Sequence, residues 1–181
     1  MAEKSPLTVT TDEQQMMLAE VRRFGDEVVR PRVSAMDREG RLDHEIIDRL
    51  FELGLMGIEV PETLGGAGMS FTDAILVIME LSRIDPSVAV VCDVQNTLVN
   101  NAVLRWATEE QKKTWLPKLT SGTVGAYALS ESGSGSDAFA LRARATRDGS
   151  SWRLSGNKLW ITNGYEAGLF LIFANVDPDK G

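Results

Sequence analysis

The hydrophobic pattern of the sequence changes at Gly122, and this change limits the possible folds more than any other feature. Before Gly122, apolar residues recur at the three- and four-residue spacing of amphipathic helices. After it, short apolar runs are separated by turn residues, which is typical of strands. The pattern therefore predicts an α+β fold, with an all-helical domain over residues 1–120 and the beginning of a β-barrel or sheet domain over residues 121–181.

The predicted helices begin at residues that are typical of helix N-caps. Thr11 and Thr108 are each followed three residues later by Gln, which is the spacing of a capping box. Asp43, Ser70 and Asp85 stand at the other starts, the last with Pro at the first helical position. The predicted helices are 12–29, ending before Pro31; Asp43 to Gly54; 71–83; an apolar, buried helix over 87–104; and Thr108 to about Pro117.

The second part of the sequence reads as short strands. Asp148-Gly149 lies between two of them and is a strong hairpin signal. The predicted strands are 124–129, 141–146, 152–154, 159–162 and 169–175.

A turn rich in Gly and Ser follows the first predicted strand, from Ser130 to Asp137. Gly133 and Gly135 are expected to adopt positive φ and to let the backbone approach a ligand closely. The serine hydroxyls add uncharged donors, and successive backbone N–H groups in such a turn can bind an anion. The turn is neither a G-x-G-x-x-G fingerprint nor a P-loop. It can also be read as a turn without a ligand.

A second candidate segment, Asn157 to Gly164, contains an indole and a hydroxyl two residues apart. On a strand, Trp160 and Thr162 would share one face. The indole would then stack on a flat aromatic ligand while the hydroxyl bonds its edge. Core packing is the alternative reading of Trp160, and only the pairing of the two segments favours a ligand site.

Charge and reactive side chains exclude several classes of function. The formal charge of −7 argues against nucleic acid as a partner. Basic residues outnumber acidic ones between 120 and 160, which suits a phosphate-bearing ligand or a solvated strand face. The single Cys92 and single His44 exclude an internal disulfide and a metal cluster, and we expect a buried thiol and an exposed or capping imidazole.

The N-terminal residues contain neither an apolar secretory core nor the Arg-rich pattern of a transit peptide. No apolar run is long enough to span a bilayer. The expected location is therefore the cytoplasm of a bacterium or the mitochondrial matrix of a eukaryote, and the protein is not expected to be secreted.

Several motifs together resemble the acyl-CoA dehydrogenase family of flavoproteins. They follow the family order from about residue 10 to the end of the chain. Two further segments, Val77–Leu81 and Val94–Leu98, are most similar to the short/branched-chain members. The family motifs are similar to Leu129–Asp137, Gly156–Asn163, Leu55–Pro61, Gly65–Gly68 and Thr108–Gln111 with Leu116-Pro117.

The resemblance implies an FAD enzyme that oxidises an acyl-CoA to its 2-enoyl-CoA. It implies an electron-transferring flavoprotein as acceptor of the electrons, a homotetramer, and contact of Ser136 with the substrate. The residues expected to bind FAD by this resemblance are Tyr127, Ala128, Leu129, Ser130, Glu131, Ser132, Gly133, Ser134, Gly135, Ser136, Trp160, Ile161 and Thr162.

The sequence departs from the family in two places. Ser132 stands where the family often has Pro, and the chain ends at Gly181, whereas family members continue into a second helical domain. That domain is expected to be absent here, together with the family's catalytic Glu, so the catalytic residue is unknown. The alternatives are a truncated, non-catalytic folding or interaction module, or an acyl-CoA oxidase.

Overall fold

The computed structural model describes residues 9–177 and divides into two compact units, with the boundary between Thr123 and Val124. The first unit is helical and the second contains all the described strands. The predicted α+β class is therefore confirmed, because helices precede strands along the chain.

Helices of the first unit begin where the sequence predicts. The capping boxes at Thr11 and Thr108 are both present, and Asp43, Ser70 and Asp85 each accept a bond from a backbone N–H of the following turn. The α-helices are α1 (Asp12–Phe24), α2 (Val33–Glu39), α3 (His44–Glu52), α4 (Phe71–Ser82), α5 (Pro86–Asp93), α6 (Asn101–Trp106) and α7 (Glu109–Ser121).

The chain stays helical through Pro31 and through Pro117, so the predicted helix ends at these two prolines are wrong. After α1 the chain passes through a π turn, Gly25–Val29, and a 3-10 turn, Arg30–Arg32, before α2. Pro31 lies in the first turn of that segment, where its missing N–H is tolerated. Pro117 lies inside α7. The complete burial of Leu116 and Leu119 on that helix offsets the hydrogen bond that Pro117 removes.

The predicted buried helix over 87–104 is the centre of the helical unit. It consists of α5, a π-helical segment Val94–Asn100, and α6, joined without a break. Val88 and Cys92 are fully buried, whereas Val90 and Leu98 are exposed, so the predicted burial holds for part of the helix surface only. Within the described residues no helix is long and apolar enough to cross a membrane.

Irregular backbone between α3 and α4 packs against this central helix through amide side chains. Asn96 Oδ1 accepts from Ile58 N at 2.9 Å, and its Nδ2 donates to Leu55 O at 2.8 Å. Asn100 Nδ2 donates to Met56 O at 2.9 Å. These side chains provide hydrogen bonds to buried backbone groups that lie outside regular helices and strands.

Within residues 124–177, the second unit contains four strands in two pairs. Strand β1 (Gly125–Ala128) pairs in parallel with β4 (Leu169–Ile172), with Gly125 opposite Leu169. Strands β2 (Arg144–Asp148) and β3 (Ser151–Ser155) form an antiparallel hairpin in which Asp148 pairs with Ser151. The hairpin predicted from Asp148-Gly149 is therefore confirmed, and Gly149 has a φ of 62° as its turn requires.

The described strands differ from the prediction in three respects. β2 begins three residues later than expected, and β4 ends at Ile172, three residues earlier than expected. Residues 159–162 form no strand and instead enter a turn over 162–166. This turn belongs to the second candidate segment, Asn157 to Gly164.

Candidate functional site

The first candidate segment leaves β1 and closes into a tight turn. Glu131 and Ser134 exchange two backbone hydrogen bonds, of 3.0 and 3.1 Å. The Ser134 hydroxyl is buried and donates to Asp137 O at 2.8 Å. Ser134 therefore uses its polar groups to shape the turn, and it leaves Ser132 and Ser136 exposed on either side.

Neither glycine of this turn has positive φ, contrary to the expectation from the sequence. Gly133 and Gly135 are absent from the left-handed region, which seven other glycines within residues 9–177 adopt. A Cβ placed on either one would meet no heavy atom within 4 Å. What these glycines provide is open space beside the backbone, and this is the room that a closely approaching ligand needs.

The second candidate segment is a turn, and the prediction that Trp160 and Thr162 share a strand face is wrong. Trp160 has a φ of 57° and Asn163 a φ of 64°. Local bonds from Gly164 N to Ile161 O and from Glu166 N to Asn163 O, both 3.0 Å, replace the ladder bonds of a strand. The Trp160 side chain is left 93% exposed.

The two segments are hydrogen-bonded to each other within the second unit. Leu159 N donates to Ser130 O at 3.0 Å, and Asn163 Nδ2 donates to Gly125 O on β1 at 3.1 Å. Lys158 Nζ donates to Leu129 O at 2.9 Å. The structure therefore brings together the two stretches that the sequence analysis had grouped, through Leu159, Lys158 and Asn163, which were not among the residues predicted to bind the cofactor.

Glu131 lies at the centre of this arrangement. Its Oε1 accepts from Lys158 Nζ at 2.8 Å and from Ala143 N at 3.0 Å, and its Oε2 accepts from Arg142 N at 2.7 Å. The bond from Lys158, followed by those from the two backbone N–H groups, lowers the pKa of Glu131 to about 2. At neutral pH this carboxyl is therefore ionised and surrounded by donors.

The remaining predicted residues occupy a range of environments. Ala128 is buried, whereas Ser130, Ile161 and Thr162 are half-buried. The half-buried ring of Tyr127 lies against Phe173, with ring centroids 4.7 Å apart. Together the two segments offer neutral hydroxyls, a turn with open space and an exposed indole, which suit a flat ligand with a polar tail.

Sequence reasoning did not assign roles to Lys158 and Asn163, although both lie in the second motif. Their side chains provide the links back to Leu129, Glu131 and Gly125. The available signal was a basic residue and an amide on either side of the apolar residues Leu159 to Ile161. Their partners lie too far away in sequence for spacing rules to identify.

Other reactive groups lie apart from these two segments. Cys92 is buried and donates to Leu55 O at 3.1 Å, and burial raises the pKa of its thiol to about 12. His44 is exposed at the first position of α3. Within residues 9–177 no group of three or more His, Cys, Asp or Glu side chains is arranged to hold a metal ion.

Two family models match the sequence. The acyl-CoA dehydrogenase N-terminal domain matches residues 11–123, and the acyl-CoA dehydrogenase middle domain matches residues 126–181. The two candidate segments both lie within the second match. These matches confirm the resemblance that was seen in the motifs.

Individual relatives agree with the family models. The chain is 47% identical over 177 residues to the mitochondrial short/branched chain specific acyl-CoA dehydrogenase of Rattus norvegicus, covering 98% of this chain and 41% of the rat protein. Butyryl-CoA dehydrogenase from Megasphaera elsdenii matches with a TM-score of 0.91 and 34% identity, over 96% of this chain and 46% of that one. A glutaryl-CoA dehydrogenase from Mycobacterium smegmatis in complex with FADH2 matches with a TM-score of 0.88 and 34% identity, over 93% of this chain and 44% of that one.

The chain spans about two fifths of the length of the curated relatives that it matches. Its two units together therefore correspond to part of each relative.

Proposed function

This chain belongs to the acyl-CoA dehydrogenase family, and from that membership we propose that it forms the FAD-binding part of an enzyme that oxidises short or branched-chain acyl-CoA. The observation that carries the proposal is the exposed Trp160, held in a left-handed turn one residue after the bond between Leu159 and Ser130. A bulky side chain in this conformation is strained, and such strain is concentrated at functional sites.

The residues present fit a flavin dinucleotide. Open space at Gly133 and Gly135 leaves room for a pyrophosphate beside the turn, and Ser132 and Ser136 offer exposed hydroxyl donors. The Trp160 indole offers a flat apolar surface for the ring system. Residues Tyr127 to Ser136 and Trp160 to Thr162 would hold FAD, with Ser134 acting by shaping the turn.

The proposed reaction removes two hydrogens from adjacent carbons of the acyl chain. A base takes the α-proton, and the β-carbon loses a hydride as the Cα–Cβ double bond forms. FAD, when bound, supplies the acceptor for that hydride. The contribution of this chain is to orient the ring through Trp160 and the substrate through Ser136, so that the reacting atoms are close and aligned.

The catalytic base remains unassigned among these residues. Glu131 belongs to a cofactor motif, but its pKa of about 2 and its three donors make it a poor proton acceptor at neutral pH. Glu59 accepts a hydrogen bond from Asn101 at 3.0 Å in the helical unit. By the family resemblance, the base is instead expected to be the Glu of the family's second helical domain.

Partners and location follow from the same family membership. We expect electrons to pass to an electron-transferring flavoprotein and the whole protein to form a homotetramer. The expected location is the cytoplasm in a bacterium or the mitochondrial matrix in a eukaryote; the relative from Rattus norvegicus is named as mitochondrial.

The test uses protein expressed from its whole coding sequence and purified without added flavin. An absorbance spectrum with flavin bands, and anaerobic bleaching of those bands by a short branched acyl-CoA, are the expected results. Rapid reoxidation by oxygen would assign an oxidase, whereas slow reoxidation with turnover by an artificial acceptor would assign a dehydrogenase. Protein that neither contains nor binds FAD would overturn the proposal in favour of a non-catalytic module.

A further inference from the structure

We propose that Glu131 and Lys158 form a positioning pair that fixes the two cofactor segments relative to each other, an inference that rests on the proposed function. The carboxylate and ammonium are 2.8 Å apart, and their side chains are only 6% and 13% exposed. The pair belongs to the second unit alone, and neither member needs to touch the reacting atoms to act.

The pair connects three stretches of backbone. Lys158 Nζ bonds Leu129 O next to the Gly/Ser turn, while Glu131 accepts the N–H groups of Arg142 and Ala143 just before β2. Lys158 itself lies two residues before Trp160. One ion pair therefore links the turn proposed for the pyrophosphate, the start of the hairpin and the indole proposed for the ring.

The chemistry of the pair suits positioning better than catalysis. All the bonds to Glu131 described above are charge-assisted, which makes them directional and stronger than neutral ones. A largely buried charge that loses its partner is destabilising, so the segments are kept where both charges remain satisfied. The resulting geometry presents an exposed Trp160 before any ligand binds, and preorganisation of this kind lowers the ordering entropy that ligand binding must overcome.

A second ion pair in the same unit provides a matched control. Arg153 Nη2 lies 2.7 Å from Asp148 Oδ2 at the tip of the hairpin, with side chains 75% and 59% exposed. Neither residue bonds either cofactor segment. Solvent-exposed pairs contribute little, so Asp148→Asn should leave flavin binding unchanged.

The test is a double-mutant cycle on FAD affinity, using apoprotein made from the whole coding sequence. Lys158→Met and Glu131→Gln should each raise the FAD dissociation constant roughly tenfold, and the double variant should be about as weak as the weaker single one. Hydrogen exchange of the 156–163 peptide in the apoprotein should be faster in both single variants and unchanged in Asp148→Asn. Glu131→Gln keeps the size of the side chain. If Lys158→Met does not fold, the FAD affinity and hydrogen exchange of Glu131→Gln still test the positioning role.

The outcomes separate this inference from the proposed function. If wild-type protein binds FAD and both variants bind it equally well, the positioning role is wrong and the proposed function stands. If the losses of FAD affinity in the two single variants add up in the double variant, Glu131 and Lys158 do not act as a pair and the inference is wrong. If wild-type protein binds no FAD, the proposed function fails, and the positioning role fails with it.

Discussion

At the scale of single residues, the conformation of Trp160 carries the most information. A left-handed φ of 57° is unfavourable for a bulky side chain, and burial does not compensate here because the indole is 93% exposed. The surrounding hydrogen bonds of Leu159 and Gly164 hold the backbone in place. Packing of the indole on a ligand would offset this backbone strain.

Replacing Trp160 with Ala should therefore weaken FAD binding without unfolding the protein. The lost stacking surface should raise the dissociation constant by roughly tenfold or more, measured by fluorescence titration of apoprotein. Trp152→Ala is the control, since Trp152 is also exposed, contacts Arg147 on the hairpin and lies outside both cofactor segments. Equal flavin content in both variants would contradict the assignment of Trp160.

Gly135→Val tests the open space beside the turn. Because Gly135 has no left-handed φ and an added Cβ would contact no neighbour, the folded apoprotein should keep its melting temperature. The valine side chain would instead occupy the space proposed for the pyrophosphate, so FAD affinity should fall by roughly tenfold or more. Unchanged affinity would mean that the turn has no cofactor role, and a lowered melting temperature would mean that the side chain disturbs the fold itself.

The lowered pKa of Glu131 predicts that the stability of the folded state depends on pH. Its folded pKa of about 2 lies below the ordinary value of 4.5, so the pair with Lys158 stabilises the folded state fully at pH values above about 4.5. That contribution is lost progressively as pH falls from about 4.5 to about 2. An NMR titration of the Glu131 carboxyl carbon in folded protein should have its midpoint near 2, and a midpoint near 4.5 would contradict the described hydrogen bonds.

At the scale of elements, the central helix of the first unit supplies side-chain hydrogen bonds to backbone groups of neighbouring segments. Its π-helical segment places Gln95, Asn96 and Asn100 in the core, where they bond the backbone of other segments. Gln95 Nε2 donates to Leu119 O at 2.7 Å near the end of α7. Polar side chains at these core positions therefore stabilise the fold, because they satisfy buried carbonyl and N–H groups.

Asn96→Leu should destabilise the helical unit by about 1–3 kcal/mol, because it leaves Ile58 N buried without its partner and leaves Leu55 O with only the weak thiol donor of Cys92. The free energy of unfolding can be measured by urea denaturation. Asn101→Ala is the matched control, since Asn101 lies on the same helical run, is only half-buried and bonds the side chain of Glu59. A loss as large in the control as in Asn96→Leu would argue against the role of the buried amide.

At the scale of the whole molecule, the described residues contain the proposed cofactor segments and no residue assigned as the base. A polypeptide of these 181 residues alone is therefore expected not to dehydrogenate acyl-CoA, even with FAD added, since α-proton abstraction needs a base within hydrogen-bonding reach. Steady-state turnover of a short branched acyl-CoA with an artificial electron acceptor is the assay. Turnover by the 181-residue polypeptide would place a base among residues interpreted here as structural, with Glu59 and Glu62 the first to mutate.

The sequence by itself determined the features that depend on near neighbours. Helix starts at Thr11, Ser70 and Thr108 were predicted correctly, because a cap needs only the three residues that follow it. The order of helices and strands, the hairpin and the family motifs were likewise readable, since periodicity and turn chemistry act over short spans. The residues of the candidate site were proposed from the same motifs.

Only the tertiary structure decided what depends on distant partners. Glu131 and Lys158 are 27 residues apart, so no local rule could pair them, and the turn around Trp160 was predicted as a strand because the long-range bonds of Leu159 and Asn163 were invisible in the sequence. Pro117 lies inside a helix because burial of its neighbours outweighs a local preference. In each case the deciding energy comes from contacts that exist only after the chain has folded.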